Sequence, residues 1–191
     1  YQIFPDRWHR SDSRPGNNSG LTASRHHQHR LFGGNLAGIT RKIPYLSQLG
    51  VTAVYLTPIF KSRSSHKYDA DDFFSIDPGF GTRADYGELV AHLHAAGIKI
   101  ILDGVFNHTS FHHPWYKNPA TRRKFYCMKN SRETMTWMNG SSLPKLDPEK
   151  AAVRKEILRV IDAWPEIDGW RLDVPNEIDD DAFWAEFRHV V

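Results

Sequence analysis

Three times along this chain an amphipathic stretch runs to a glycine and then gives way to a short apolar run. "TRKIPYLSQLG" leads into "VTAVYLTP", "TRADYGELVAHLHAAG" into "IKIILDGVFNH", and "DPEKAAVRKEILRVIDAWPEIDG" into "WRLDV". The amphipathic pieces carry helical spacing: Tyr86, Leu89, Val90 and Leu93 fall at i, i+3, i+4 and i+7, and Val153, Ile157, Val160, Ile161 and Trp164 follow the same pattern. Thr82 with Asp85 three residues later reads as an N-cap with an acidic partner, and Gly50 and Gly97 stand where a helix end needs a positive φ. The apolar runs are short and do not alternate, which is how strands buried on both faces read. With "YQIF" at the start, four strands separated by helices are expected. Such alternation implies a parallel sheet with right-handed crossovers.

Two architectures satisfy this pattern, an open doubly wound sheet and a (β/α)8 barrel. No glycine-rich phosphate loop follows any strand, so nothing supports the dinucleotide-binding version. In both, chemistry belongs at the C-terminal ends of the strands. Polar residues collect there: Thr57 after the second strand, Asp103, Asn107 and His108 after the third, Arg171 and Asp173 after the fourth. The stretch 109–145 breaks the rhythm, being polar, aromatic and too long for an ordinary connection. It is expected to form a small insertion after strand three, flanked by 1–108 and 146–191 as the main α/β unit.

Composition narrows the function. The chain has 191 residues with 40% hydrophobic and 13% aromatic content, enough for a globular core. The net charge is +3, and much of the local basic character sits in "SRHHQHR", residues 24–30, which reads as a solvated loop rather than a nucleic-acid surface or a metal site. One cysteine, Cys127, excludes an intrachain disulfide. No apolar run is long enough to span a membrane and no signal peptide is evident, so the expected location is cytoplasmic, with neither membrane nor nucleic acid as partner.

Asp103 and Asp173 each close an apolar strand, with His108 and Arg171 beside them. An arginine next to Asp173 keeps the carboxylate charged and oriented. An ionised, positioned aspartate is a nucleophile suited to glycoside chemistry. "DGVFNH" (Asp103 to His108) and "GWRLDVPNE" (Gly169 to Glu177) resemble the first and second motifs of the α-amylase superfamily, glycoside hydrolase family 13. "YQIFPDRW", "GGNLAGI", "LTPIF", "SSHKYDADDFFSIDPGFGT" and "LPKLD" match its landmarks in order across essentially the whole chain. Within the superfamily, "GWRLDVPNE" and "LPKLD" are most similar to the neopullulanase, cyclomaltodextrinase and maltogenic amylase group, with Leu143, Asp147 and Pro175 as departures.

The resemblance implies a partial (β/α)8 TIM barrel, its first four β/α units, acting on α-1,4-glucans such as cyclomaltodextrins, pullulan and maltooligosaccharides, with retention and with transfer to a sugar as a second outcome. It implies Asp173 as nucleophile and Arg171 as its orienting partner. By the same resemblance Tyr68 would stack on the attacked glucose, His108 would hydrogen-bond its hydroxyls, and Asp103 would support the site. Asn107 braces the insertion or binds metal, and Glu177 contacts substrate or only its own loop. Trp115, Trp137 and Met138 in the insertion serve packing or sugar contact. Some relatives hold calcium near the N-terminus, for which Asp12, Asn17, Asn18, Gly33 and Asn35 could supply oxygens, Asn35 standing where an acid is common.

A retaining glycosidase also needs a general acid about 5–5.5 Å from the nucleophile. In the superfamily this glutamate follows strand five and a further aspartate follows strand seven. Glu166, Glu177 and Glu186 do not match the acid's motif. The chain is therefore expected to be the first half of the barrel, inactive alone and prone to self-association through its open edges. The alternative is a non-catalytic amylase-like domain for carbohydrate binding or assembly.

Overall fold

The computed structural model describes residues 1–11, 31–138 and 142–191. Strand β1 (Gln2–Ile3) is followed by a short helix α1 (Pro5–Trp8). Helices α2 (Leu36–Arg41) and α3 (Ile43–Gln48) lead to β2 (Ala53–Leu56). A hairpin of β3 (Phe60–Ser62) and β4 (Ala70–Ile76) precedes α4 (Arg83–Ala95) and β5 (Lys99–Gly104). Two short helices, α5 (Pro114–Lys117) and α6 (Pro119–Phe125), occupy the long connection to α7 (Ala151–Asp162). Strand β6 (Gly169–Leu172), a 3-10 turn (Pro175–Glu177) and α8 (Asp181–Val190) close the chain.

The sheet has the order β1-β2-β5-β6 and every pairing in it is parallel. That is the arrangement the alternating helices and apolar runs predict, and it is part of a TIM barrel. The helix signals also hold. Thr82 and Asp85 form a reciprocal capping box on α4, and Gly50 and Gly97 take φ of 73° and 71° just beyond helix ends.

One expectation is corrected. The strands are not buried on both faces; they alternate. Val54, Leu56, Ile100 and Leu102 are buried against the helices, in one cluster with Leu89, Leu93, Ile157, Val160 and Phe183. Ala53, Tyr55 and Ile101 lie on the other face and are only half-buried. Helices pack on one side alone, so the concave side has no covering layer among the described residues. Among the described residues strand β6 pairs only with β5, and no residue in it is fully buried, although its sequence reads as a core strand.

The β3–β4 hairpin is a second difference, since the motif containing it gave no strand signal. It is tied to the core through Trp164, whose indole N–H donates to Phe73 O at 3.0 Å and whose ring lies 5.1 Å from Phe60. The connection between β5 and α7 folds back on β5 through an antiparallel bridge of His108 with Lys145 and a bond from Leu146 N to Asn107 O at 2.8 Å.

Candidate active site

The pairing register decides which side chains meet. Asp103 stands opposite Arg171, and Tyr55 opposite Ile101, on adjacent parallel strands. Side chains alternate along a strand, so Tyr55, Asp103, Arg171 and Asp173 all point to the concave face near the C-terminal strand ends. Asp103 lies at the centre, 1% exposed. Its carboxylate accepts from the hydroxyl of Tyr55, from the hydroxyl of Tyr68 at 3.0 Å, and from Arg171 Nη1 at 3.0 Å. The same guanidinium nitrogen donates to Asp173 Oδ1 at 2.7 Å.

These contacts set the electrostatics. Burial pushes the Asp103 carboxyl above the usual carboxylate range, against the pull of Tyr55, Arg171 and Tyr68. Burial and the neighbouring Asp103 push the Tyr55 hydroxyl far up, and burial raises Tyr68 to about 12. Both phenols therefore stay protonated and act as donors to Asp103. Burial alone would weaken the charge on Arg171, but its bonds to Asp173 and Asp103 outweigh this and raise it. Arg171 is thus a permanent cation shared by two carboxylates.

Tyr68 sits in the β3–β4 turn and is held there by its neighbour. Lys67 is 4% exposed with φ 65°, and its ammonium lies 2.8 Å from Asp77 Oδ2 and 3.1 Å from Ser62 O. A non-glycine residue persists in that region only when its surroundings hold it. The turn is further tied by Asp69, which accepts from the hydroxyls of Ser62 and Ser64.

His108 reaches the same region but is 1% exposed. Its Nε2 lies 3.1 Å from Tyr68 O, its Nδ1 3.2 Å from Asn107 Nδ2, and Trp137 stacks on the ring at 5.4 Å. Both ring nitrogens thus face protein atoms in this arrangement, and burial holds the imidazole below its usual pKa. Asn107 braces the connection through its backbone carbonyl, while its own Oδ1 is buried with no hydrogen-bond partner. Glu177 does not face Asp103 or Arg171; its carboxylate pairs with Lys145 at 3.2 Å. Trp115 packs against His113, Phe125 and Phe73, whereas Met138 is 75% exposed.

Of the residues expected to serve calcium, Asp12, Asn17 and Asn18, like the basic run 24–30, lie outside the described residues. The other two make these contacts with protein. Asn35 Oδ1 caps α2 by accepting from Gly38 N at 2.7 Å and Ser11 N at 3.3 Å, and Gly33 N donates to Asp6. Asn35 is therefore a helix cap in this fold. Among the described residues no group of three or more His, Cys, Asp or Glu is placed to hold a metal ion.

Tyr55, Lys67, Lys145 and Val174 escaped the sequence reading. Tyr55 left one trace, a polar-tipped aromatic inside the apolar run "VTAVYLTP". Val174 left none: it takes φ 41° and ψ 51°, a left-handed conformation rare for a β-branched residue, directly after Asp173.

Residues 2–189 match the family described as alpha amylase, catalytic domain. The chain is 42% identical to neopullulanase 2 of Thermoactinomyces vulgaris and 39% identical to a cyclomaltodextrinase of Thermoanaerobacter pseudethanolicus, covering all of this chain and 36% of each relative. It thus spans about a third of the length of the curated relatives it matches. Among solved structures it is similar to the cyclic alpha-maltosyl-(1→6)-maltose hydrolase of Arthrobacter globiformis, with a TM-score of 0.90 and 34% identity over 100% of this chain and 47% of that one. The type III pullulan hydrolase of Thermococcus kodakarensis gives a TM-score of 0.88 at 30% identity, over 100% of this chain and 40% of that one.

Proposed function

Because the chain belongs to the alpha-amylase catalytic-domain family, we propose that it carries the nucleophile half of a retaining glycosidase acting on α-1,4-glucans. Cyclomaltodextrins, pullulan and short maltooligosaccharides are the proposed substrates, in keeping with the names of its relatives. The observation that carries this reading is the shared guanidinium of Arg171, which orients Asp173 at the end of β6 and ties it to Asp103, the acceptor of the Tyr68 phenol. Asp173 Oδ1 takes the bond from Arg171, which turns the carboxylate toward the concave face. Its other oxygen attacks the anomeric carbon of a glucose stacked on Tyr68; the C1–O glycosidic bond breaks, the leaving oxygen departs with the bonding pair and takes a proton from a second carboxyl, and a glycosyl–enzyme ester forms. Water or a sugar hydroxyl then resolves the ester. Asp103 holds Arg171 and both phenols in place.

The second carboxyl is not supplied by the glutamates near Asp173 in sequence. Glu166 pairs with Arg83, Glu177 with Lys145, and Glu186 is exposed on α8. The chain by itself is therefore proposed to be inactive on ordinary glucans, which need their leaving oxygen protonated. The concave face and the edge of β6, both uncovered among the described residues, are the proposed cause of self-association; a monodisperse monomer in light scattering would count against it. A relative of 39% identity in Bacillus subtilis named intracellular maltogenic amylase supports a cytoplasmic location, and among the described residues no helix is long and apolar enough to cross a membrane.

A substrate whose leaving group needs no acid isolates the nucleophile. With 5-fluoro-α-D-glucosyl fluoride, the C1–F bond breaks, fluoride departs with the bonding pair, and an Asp173 oxygen bonds C1. Mass spectrometry of the 191-residue chain is expected to find the added sugar on the peptide containing Asp173, and to lose it in Asp173→Asn. Maltotriose binding without any adduct would instead favour a carbohydrate-binding domain that has no catalysis.

A further inference from the structure

Asp173 is followed by the most strained residue near the site. Val174 adopts φ 41° and ψ 51° and is followed by Pro175, so a β-branched side chain sits in the left-handed region before a proline. A conformation of this kind survives only where surrounding contacts over-determine it. Three contacts do so. Asp173 N donates to Gly104 O at 3.0 Å on β5, and Glu177 N donates to Val174 O at 3.0 Å across the 3-10 turn. Beyond the turn, Ile178 is buried and its carbonyl accepts from the Trp184 indole at 2.9 Å.

Among the described residues the turn itself carries one side-chain tie from outside. Glu177 meets Lys145, which belongs to the long connection after β5. Lys145 cannot swing away with its backbone, because its N–H donates to Met135 O at 3.0 Å and its carbonyl accepts from Cys127 N at 3.0 Å. The two side chains are 22% and 39% exposed, a setting in which an ion pair adds little to overall stability. Its effect must therefore be sought in position.

We propose that the Lys145–Glu177 pair is a latch by which the connection after β5 holds the strained Val174 turn closed, and so positions Asp173 on Arg171. Lys145, Val174 and Glu177 are positioning residues; the geometry contacts Asp173 only through the chain. The proposal rests on Asp173 being the nucleophile, but its first readout does not need sugar. The Nη1–H cross-peak of Arg171 reports its bonds to Asp173 and Asp103 directly.

In Glu177→Gln and in Lys145→Met, this cross-peak is expected to shift and broaden, and trapping by 5-fluoro-α-D-glucosyl fluoride to slow by about tenfold or more. Tm should move by no more than about 2 °C. Exchanging the charges, Lys145→Glu with Glu177→Lys, should restore both signals. The decisive arm uses Val174→Asn, since asparagine accepts the left-handed conformation readily. Alone it should raise Tm; combined with Glu177→Gln it should restore the cross-peak and the trapping rate, because an unstrained turn needs no latch. An unchanged Arg171 cross-peak in Glu177→Gln overturns the proposal, as does an equal loss in the Val174→Asn background. Absence of trapping in the unsubstituted chain, with the cross-peaks behaving as described, counts against the nucleophile reading alone.

Discussion

Arg171 stands directly opposite Asp103 in the β5–β6 register, and its Nη1 lies 3.0 Å from an Asp103 carboxylate oxygen whose side chain has no exposed surface. Removing the arginine leaves a buried carboxylate without its cation, which is costlier than never having had the pair. Arg171→Met is expected to destabilise the fold by about 2–3 kcal/mol, less than for a fully buried pair because the guanidinium is 42% exposed. Asp103→Asn in the same chain should recover most of the loss. Chemical denaturation of the four species in the cycle measures it; simple additivity would refute the coupling.

The phenols of Tyr55 and Tyr68 both donate to Asp103. Tyr55→Phe keeps the ring and removes one donor from a buried acceptor. A loss of about 1–2 kcal/mol is expected. Tyr68→Phe should cost a similar amount, since both residues are half-buried and both donate to the same buried carboxylate. Losses from urea curves that differ several-fold would contradict this.

Acid should loosen the connection after β5. His113 is 3% exposed, packs on Trp115 at 4.3 Å and accepts from Trp115 N at 3.2 Å, so it is held neutral, with its pKa pushed down to about 4 by burial. The unfolded chain binds a proton near pH 6.5, the folded chain only near 4. Between those values the unfolded state holds more protons, so stability is full above pH 6.5 and is lost as pH falls. The loss is on the order of 3 kcal/mol. His113→Asn can still cap α5, and its Tm should be flatter between pH 6.5 and 4. An unchanged slope would place the acid sensitivity elsewhere.

The capping box of α4 offers a separate test. Thr82 Oγ1 accepts from Asp85 N at 3.2 Å, and Asp85 Oδ2 accepts from Thr82 N at 2.7 Å. Thr82→Ala should cost about 1 kcal/mol in thermal or chemical unfolding and leave Asp173 trapping unchanged.

Much of this was legible before any coordinates. The four strands, their crossover helices and the cap at Thr82 could be read because hydrophobic spacing and turn chemistry are local. The residue types at strand ends also carried their chemistry. An aspartate beside an arginine after an apolar run is recognisable wherever the fold puts it, and the motifs around Asp103 and Asp173 identified the family. Other features could not be read along the chain. The β3–β4 hairpin has mixed burial and no clean alternation, so its pairing depends on Trp164 and Phe60 meeting from distant positions. Tyr55 joined the site only because register set β2 beside β5 and pointed a phenol at Asp103, 48 residues away. Glu177 turned to Lys145 rather than to the Asp103–Arg171 cluster, and Val174 accepted a strained conformation, because residues remote in sequence fix both ends of that turn. The sequence by itself determined the elements and the reactive groups, since propensity and ionisation belong to short segments. Which of those groups share a proton donor, a cation or a strained turn was decided only by tertiary packing, because distance and burial are properties of the assembled sheet.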